Sequence, residues 1–501
     1  MTEADFPLLS LVILLPLLGA IAIGFIHDLR RAKRVALAVA VIELIATLLV
    51  VYLFTPASGE FQLVEKYAWI PILNIEYLVG VDGISVLFLP MSALVTLMAI
   101  VASWNSIQHI PRFHLSLLLA LEGVTMGVFS ALDIVLFFLF WELTLPPFFF
   151  LIGLWGIGSH RRGAAMKYTL FMLFGGVPLL LAIVMLAVNH ATELGGGIPQ
   201  DLSFSLPILL QHPLPGDLQV VVFFLLLLGF GVKAPLFPFH TWLPTAAMEG
   251  PAHITALLTG LKLGVYGILR FTIPLTPSAS VEFSWMLSIL GAVTLIYGAL
   301  IALQQTNLRS LLAYASISHV GLVIVGIASL NMQGIQGAVF QLINFTVVAS
   351  SMMLLAGFIQ HRLGSTEVIH LGGLAKVMPR LAAFYFLFTL ASIGVPGTNG
   401  FPAELLLIIG ALKAHPSLGV AALAGAILGA AYMLSFARRA FFGPIVHGDV
   451  SQTQDLRPRE LILLCAPALL ILVFGFFPNS VLHISQSASE AWLNRLLSFV
   501  P

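Results

Sequence analysis

Charge is what this chain has least of. Charged residues make up 9% of 501, and 22 Lys and Arg balance 22 Asp and Glu. A soluble domain carries about 25%, and the zero net charge points to no nucleic-acid partner. Cysteine is nearly absent. Cys465 alone excludes a disulfide within the chain and an iron–sulfur cluster held by its own thiolates. The N-terminus, MTEADFP, lacks a basic leader, so Leu8 to Phe25 reads as a retained first span, not a cleaved signal. Long polar stretches are missing too. The longest gaps are 55–82, 190–218 and 444–459, and no soluble domain is expected.

What fills the chain is apolar. Hydrophobic residues reach 59%, and the mean hydropathy is +1.04. This is the composition of a polytopic helical membrane protein. Fourteen apolar runs begin near residues 7, 34, 85, 114, 133, 165, 219, 251, 282, 311, 333, 381, 418 and 460. The predicted fold is therefore all-α with about 14 transmembrane helices. Numbering the loops alternately puts 16 Lys and Arg on one face and 4 on the other, with Lys233 and Lys262 left inside the spans. The richer face is predicted to be cytoplasmic, which sends both termini to the other side.

Two spans are interrupted, the seventh at Lys-Ala-Pro-Leu-Phe-Pro (233–238) and the twelfth at GVPGTNGFP (394–402). Proline removes a backbone donor and breaks the helical ladder. The breaks lie five spans apart, an odd offset, so the interrupted helices run in opposite directions. The expected organisation is three N-terminal helices in 1–113, inverted five-helix repeats in 114–273 and 274–443, and a loop with helix fourteen in 444–501.

Ionisable groups recur at mid-depth: Glu142 in LFFLFWELTLPP, Lys233 at the first break, Lys262 in LLTGLKLGVYG, His319 in AYASISHVGLV and Glu404 after the second break. A lysine at the centre of a membrane helix costs about 3 kcal/mol, so a row of such groups points to an ion path. A Glu142–Lys233 pair either holds two helices in register or tunes proton affinity. Lys262 has no acid in its own helix and is suited to take up and release protons. His319 is a proton carrier or a hydrogen-bonded core residue. His240 is either a secondary site or interfacial. Asp133 reads as a helix cap. Gly229-Phe-Gly231 is a loose dinucleotide pattern without a strand before it. His109 and His114 flank Pro111 in a basic loop and read as solvated.

Together ALDIVLFFLFWE (131–142), VKAPLFPFHTWLP (232–244), KLGVYGILR (262–270), NLRSLLAYASISHVG (307–321) and PGTNGFPAE (396–404) resemble the M-type antiporter-like membrane subunits of respiratory complex I. The resemblance runs over nearly the whole chain. It implies an ion pair of Glu142 and Lys233, a central relay of Lys262 and His319, and Glu404 as the terminal exchange group. Lys167 and Asn344 join His240 as secondary candidates. The resemblance further implies a subunit of a proton-pumping NAD(P)H- or ferredoxin:quinone oxidoreductase in a bacterial plasma or thylakoid membrane. L-type and N-type chains and lipid would be its neighbours. This chain would bind no cofactor; iron–sulfur clusters, quinone and the electron donor would belong to the complex. A glutamate at 404 separates it from L-type, N-type and Mrp-type antiporter chains, which carry lysine there. A cation/proton antiporter subunit of Mrp type and an M-type subunit of a membrane-bound hydrogenase are the alternatives. Phe345 stands where M-type chains carry histidine, Thr245 where they carry aspartate, and AMEGPAH (247–253) is as similar to the L-type. These departures point to a specialised paralogue, such as a cyanobacterial CO2-uptake chain.

Overall fold

The computed structural model describes residues 1–193, 195–445 and 448–498. Among the described residues, twelve helices are long and apolar enough to cross a membrane. The other two predicted spans are the apolar Phe88–Ser103 and the interrupted pair Pro379–Ser392 and Gly400–Ala414. Each of the fourteen apolar runs thus falls on helix. Many helices start where a capping oxygen or a proline sets them off. The Asp133 carboxylate accepts from the amides of Val135 at 2.9 Å and Leu136 at 3.0 Å, and Pro111, Pro379, Pro416 and Pro458 each open a helix.

The spans are not equally enclosed. Span eight (Ala252–Leu275) and span ten (Leu308–Ala328) are 94% buried, against 39% for span one (Leu8–Phe25) and 28% for span fourteen (Pro458–Phe476). The helices carrying Lys262 and His319 therefore run through protein, not lipid, which is what makes their charges tolerable.

Four spans are interrupted, where the prolines predict two. Span five divides at Thr144 into Ile134–Leu143 and Leu145–Trp155, just ahead of Pro146 and Pro147. Span seven breaks after Gly216–Lys233 and resumes at Trp242–Glu249. Span eight runs as helix from Ala252 to Gly260, is extended at Leu261, resumes at Leu263–Gly267 and widens into a π-turn at Ile268–Thr272. Lys262 sits in that gap. No proline marks it.

Outside the spans the structure adds elements that hydropathy leaves blank. The gap at 55–82 holds an antiparallel hairpin of β1 (Gln62–Ile70) and β2 (Ile75–Val81), turned at Asn74 with φ 53°. Beyond span fourteen, the helix Asn479–Ser498 buries a stripe of Val481, Ser485, Ala488, Ser489 and Trp492. That stripe follows helical spacing on an otherwise polar helix, so the C-terminal segment carries a second long helix beyond span fourteen. Trp492 Nε1 donates to the Leu269 carbonyl at 2.9 Å. Arg270, which its position assigns to the far-side loops, is instead buried in the π-turn and paired with Asp82 at 2.5 Å.

Candidate proton path

Lys233 closes the first half of span seven and reaches span five. Its ammonium donates to the Trp141 carbonyl at 3.1 Å and the Thr144 hydroxyl at 2.7 Å, and lies 3.9 Å from the centre of the Trp141 ring. The direct ion pair expected with Glu142 is not formed. Successive side chains on a helix point about 100° apart. The Glu142 carboxylate faces span six (Arg161–Glu193), where a methyl added at Gly176 would stand 2.5 Å from Oε1. The two groups share a helix turn without touching.

The breaks in spans seven and eight pack directly together. A methyl added at Gly264 would lie 2.2 Å from the Ala234 amide nitrogen and 2.6 Å from the Phe230 carbonyl. Only a residue without Cβ lets the backbone beside Lys262 approach the end of the helix carrying Lys233. Gly264→Ala is expected to force the breaks apart at a cost of about 1–3 kcal/mol and to slow coupled turnover. Unchanged turnover, measured against the amount of assembled protein, would mean the contact is incidental.

From Lys262 the polar groups continue. Its ammonium donates to the Ser316 hydroxyl of span ten and lies 5.8 Å from the Phe345 ring centre. The same ring meets the His319 imidazole edge-on, centroids 5.1 Å apart at 75°. His319 Nδ1 is 3.7 Å from Glu404 Oε1, and its Nε2 is 3.4 Å from the Tyr432 hydroxyl. Glu404 folds over the second break, its Oε2 within 2.5 Å of a methyl placed at Gly394, where φ is +65°. Lys262, His319 and Glu404 thus form one buried row.

Phe345 interrupts the row, and a cavity lies beside it. It measures about 20 Å³ and is lined by Thr259, Ser316, His319, Asn344, Phe345 and Ser392 among others. About 10–15 Å³ suffices for one water. Asn344 Nδ2 donates to Gln341 Oε1 at 3.0 Å, while Asn344 Oδ1 is buried without a partner. An orphaned amide oxygen of this kind is what a bridging water satisfies.

The secondary candidates lie elsewhere. His240 is buried against Phe237 and Tyr297 with an unpartnered Nδ1. Lys167 donates to the Thr241 carbonyl at 2.8 Å and to the Thr245 hydroxyl at 3.1 Å. Both residues sit at the Lys- and Arg-rich end of span seven, and a hydroxyl holds the lysine there.

Other groups escape the sequence reading. His114 is 1% exposed in Pro111–Ser130, not solvated, and its Nε2 stands 2.8 Å from His253 Nε2. Glu43 and Glu122, in spans two (Leu29–Leu53) and four, are fully buried with all four carboxyl oxygens unpartnered. The insertion-cost argument that flags Glu142 applies equally to them. Tyr432 carries no signal until His319 is placed beside it. Among the described residues no three His, Cys, Asp or Glu gather as a metal site.

Comparison with known proteins settles the family. Residues 131–429 match the model for the transmembrane region of NADH:quinone oxidoreductase and Mrp antiporter subunits. The chain belongs to this antiporter family. It is similar to NADH-quinone oxidoreductase subunit M of Rickettsia prowazekii, 34% identical over 99% of this chain and 100% of that one. It is also similar to NAD(P)H-quinone oxidoreductase chain 4 1 of Synechococcus sp. (strain JA-3-3Ab), 37% identical over 99% and 95%. A chain of respiratory complex I from Thermus thermophilus superposes with a TM-score of 0.88 at 30% identity, covering 97% of this chain and 99% of that one. The matched region of this antiporter-family chain contains Glu142, Lys233, Lys262, His319 and Glu404.

Proposed function

We propose that the chain is a proton-translocating membrane subunit of a complex I-type oxidoreductase, with no redox centre of its own. Electron transfer from NADH, NAD(P)H or ferredoxin to quinone takes place in partner subunits. Its energy reaches this chain through neighbouring L-type and N-type membrane chains. The observation that carries the reading is the row Lys262–Ser316, His319, Glu404, threaded through enclosed spans with a one-water cavity at Phe345. A change in the Glu142–Lys233 region, transmitted through the packed breaks at Ala234 and Gly264, alters the proton affinity of Lys262. The proton then passes by way of the cavity water and His319 to Glu404. Spans 4–8 and 9–13 act as inverted repeats, the Lys- and Arg-rich face is cytoplasmic, and both termini lie opposite.

Affinity purification of the chain from its own membranes tests the assignment. A co-purifying quinone-reductase arm supports it, and proton flux driven by Na+ or K+ without an electron donor would replace it with an antiporter. The departures at Phe345 and Thr245 favour a specialised branch, and a co-purifying CO2-hydrating subunit would place the chain there. Within the row, Asn344→Leu removes a partner of the bridging water and is expected to lower proton flux about tenfold or more. Phe345→His supplies an imidazole at the same point and is expected to keep it. Equal flux in the Asn344→Leu and unaltered proteins would remove the water from the route.

A further inference from the structure

A path through Lys262 needs a way in for protons, and an opening on the Lys- and Arg-rich face has the chemistry to supply it. We infer that His253, paired with His114, takes up protons from this opening and passes them to Lys262 along span eight. The inference rests on the proton-path reading above and extends it to groups which that reading leaves out.

The opening is a vestibule of about 310 Å³ whose walls include Asn105, Ser106, His253, Arg309, His361 and Arg457. Its one carboxylate, Glu460, is already engaged by Arg362. His253 is 6% exposed at the inner wall, with His114 behind it. At 2.8 Å between the Nε2 atoms, one ring donates and the other accepts. With the shared hydrogen on His253, its Nδ1 carries a free lone pair. An N–H bond forms there as a proton arrives from vestibule water, and the same bond breaks as the proton moves on, leaving His253 as it began. His114 holds the tautomer and carries no net transfer.

Onward, span eight presents hydroxyls at the right places. The Thr255 hydroxyl lies 3.5 Å from Arg309 Nη2 and bonds the Ala252 carbonyl at 3.0 Å. The Thr259 hydroxyl bonds the Thr255 carbonyl at 2.8 Å and lines the one-water cavity beside Ser316, the partner of Lys262. Hydroxyls of span eleven (Met332–Leu363) line the same side, Ser350 at 2.9 Å from the Ala256 carbonyl and Thr346 at 3.3 Å from that of Gly260. At 1.5 Å per residue, His253 and Thr259 are about 9 Å apart along the helix. A proton crossing that distance needs about two or three waters among these hydroxyls. The alternative is that the imidazole pair only pins span four to span eight.

Chemical rescue separates the two. In the assembled complex, His253→Ala opens a space facing the vestibule that free imidazole can enter. Donor:quinone turnover is expected to fall about tenfold or more and to recover, saturably, with added imidazole. Imidazole should leave the unaltered complex and Lys262→Met unaffected. Full turnover in His253→Ala, or a loss in assembled complex that imidazole does not restore, overturns the inference. Should His253→Ala fail to assemble, His253→Gln keeps a hydrogen bond to His114 without carrying a proton. Lost turnover there supports the uptake role, and full turnover overturns it. Lys262→Met, run alongside, reports separately on the relay: if it pumps normally, the path reading itself has failed.

Discussion

Lys262→Met is expected to abolish proton translocation in a complex that still assembles. Methionine matches the length and flexibility of lysine, so the space between Ser316 and Phe345 remains filled. Removing a charge from a span that is 94% buried relieves a desolvation cost. Against that stands the lost Ser316 hydrogen bond, worth about 1 kcal/mol. Folding should therefore survive. Proton transfer should not, because thioether sulfur takes up no proton at working pH, and an acid–base group of this kind contributes about 10²–10⁴-fold. Lys262→Arg sharpens the test. Arginine keeps the charge but does not deprotonate, so a relay loses flux with either substitution, whereas a merely electrostatic site tolerates arginine. Fluorescence quenching in sealed vesicles, normalised to assembled complex, reads both. Undiminished flux in Lys262→Met, or retained flux in Lys262→Arg, would remove Lys262 from the relay.

The row of charges was legible because each group is expensive. Glu142, Lys233, Lys262, His319 and Glu404 stand out against apolar neighbours, and the structure places Lys262, His319 and Glu404 in one buried row. The prolines likewise marked the breaks in spans seven and twelve. The break at Lys262 went unmarked because glycines at 260, 264 and 267, not prolines, make it, and what they permit is a close approach from another helix. The missing Glu142–Lys233 contact is a matter of direction around a helix, which spacing along one chain does not contain. His114 and His253 are 139 residues apart, so their contact is purely tertiary. The hairpin at 62–81 and the helix Asn479–Ser498 were invisible to hydropathy because each is half polar.

The largest effect on stability is expected at the other end of span eight. Arg270 Nη1 meets Asp82 Oδ2 at 2.5 Å, with the side chains 5% and 6% exposed. The Asp82 carboxylate also accepts from the amides of Ile84 at 3.1 Å and Ser85 at 3.0 Å, closing the turn after β2. The guanidinium lies 4.8 Å from the Phe61 ring centre and beside the Tyr266 hydroxyl. Asp82→Leu leaves that cation buried without its counter-ion, which costs about 3–5 kcal/mol. Replacing both partners by apolar groups removes the stranded charge along with its counter-ion. Asp82→Leu with Arg270→Met is therefore expected to be more stable than Asp82→Leu alone, a coupling of about 1–3 kcal/mol. Thermal release of the chain from the purified complex measures the order. The consequence reaches the proton path, because Arg270 lies two helical turns beyond Lys262 in a π-turn that the pair and Trp492 hold in place. An unpaired Arg270 drawn towards water would pull that turn and shift the register of the helix behind Lys262. Turnover should thus fall with Asp82→Leu and return in the double variant. If the double variant is as unstable as Asp82→Leu, the defect lies in the lost turn after β2 and not in the stranded charge.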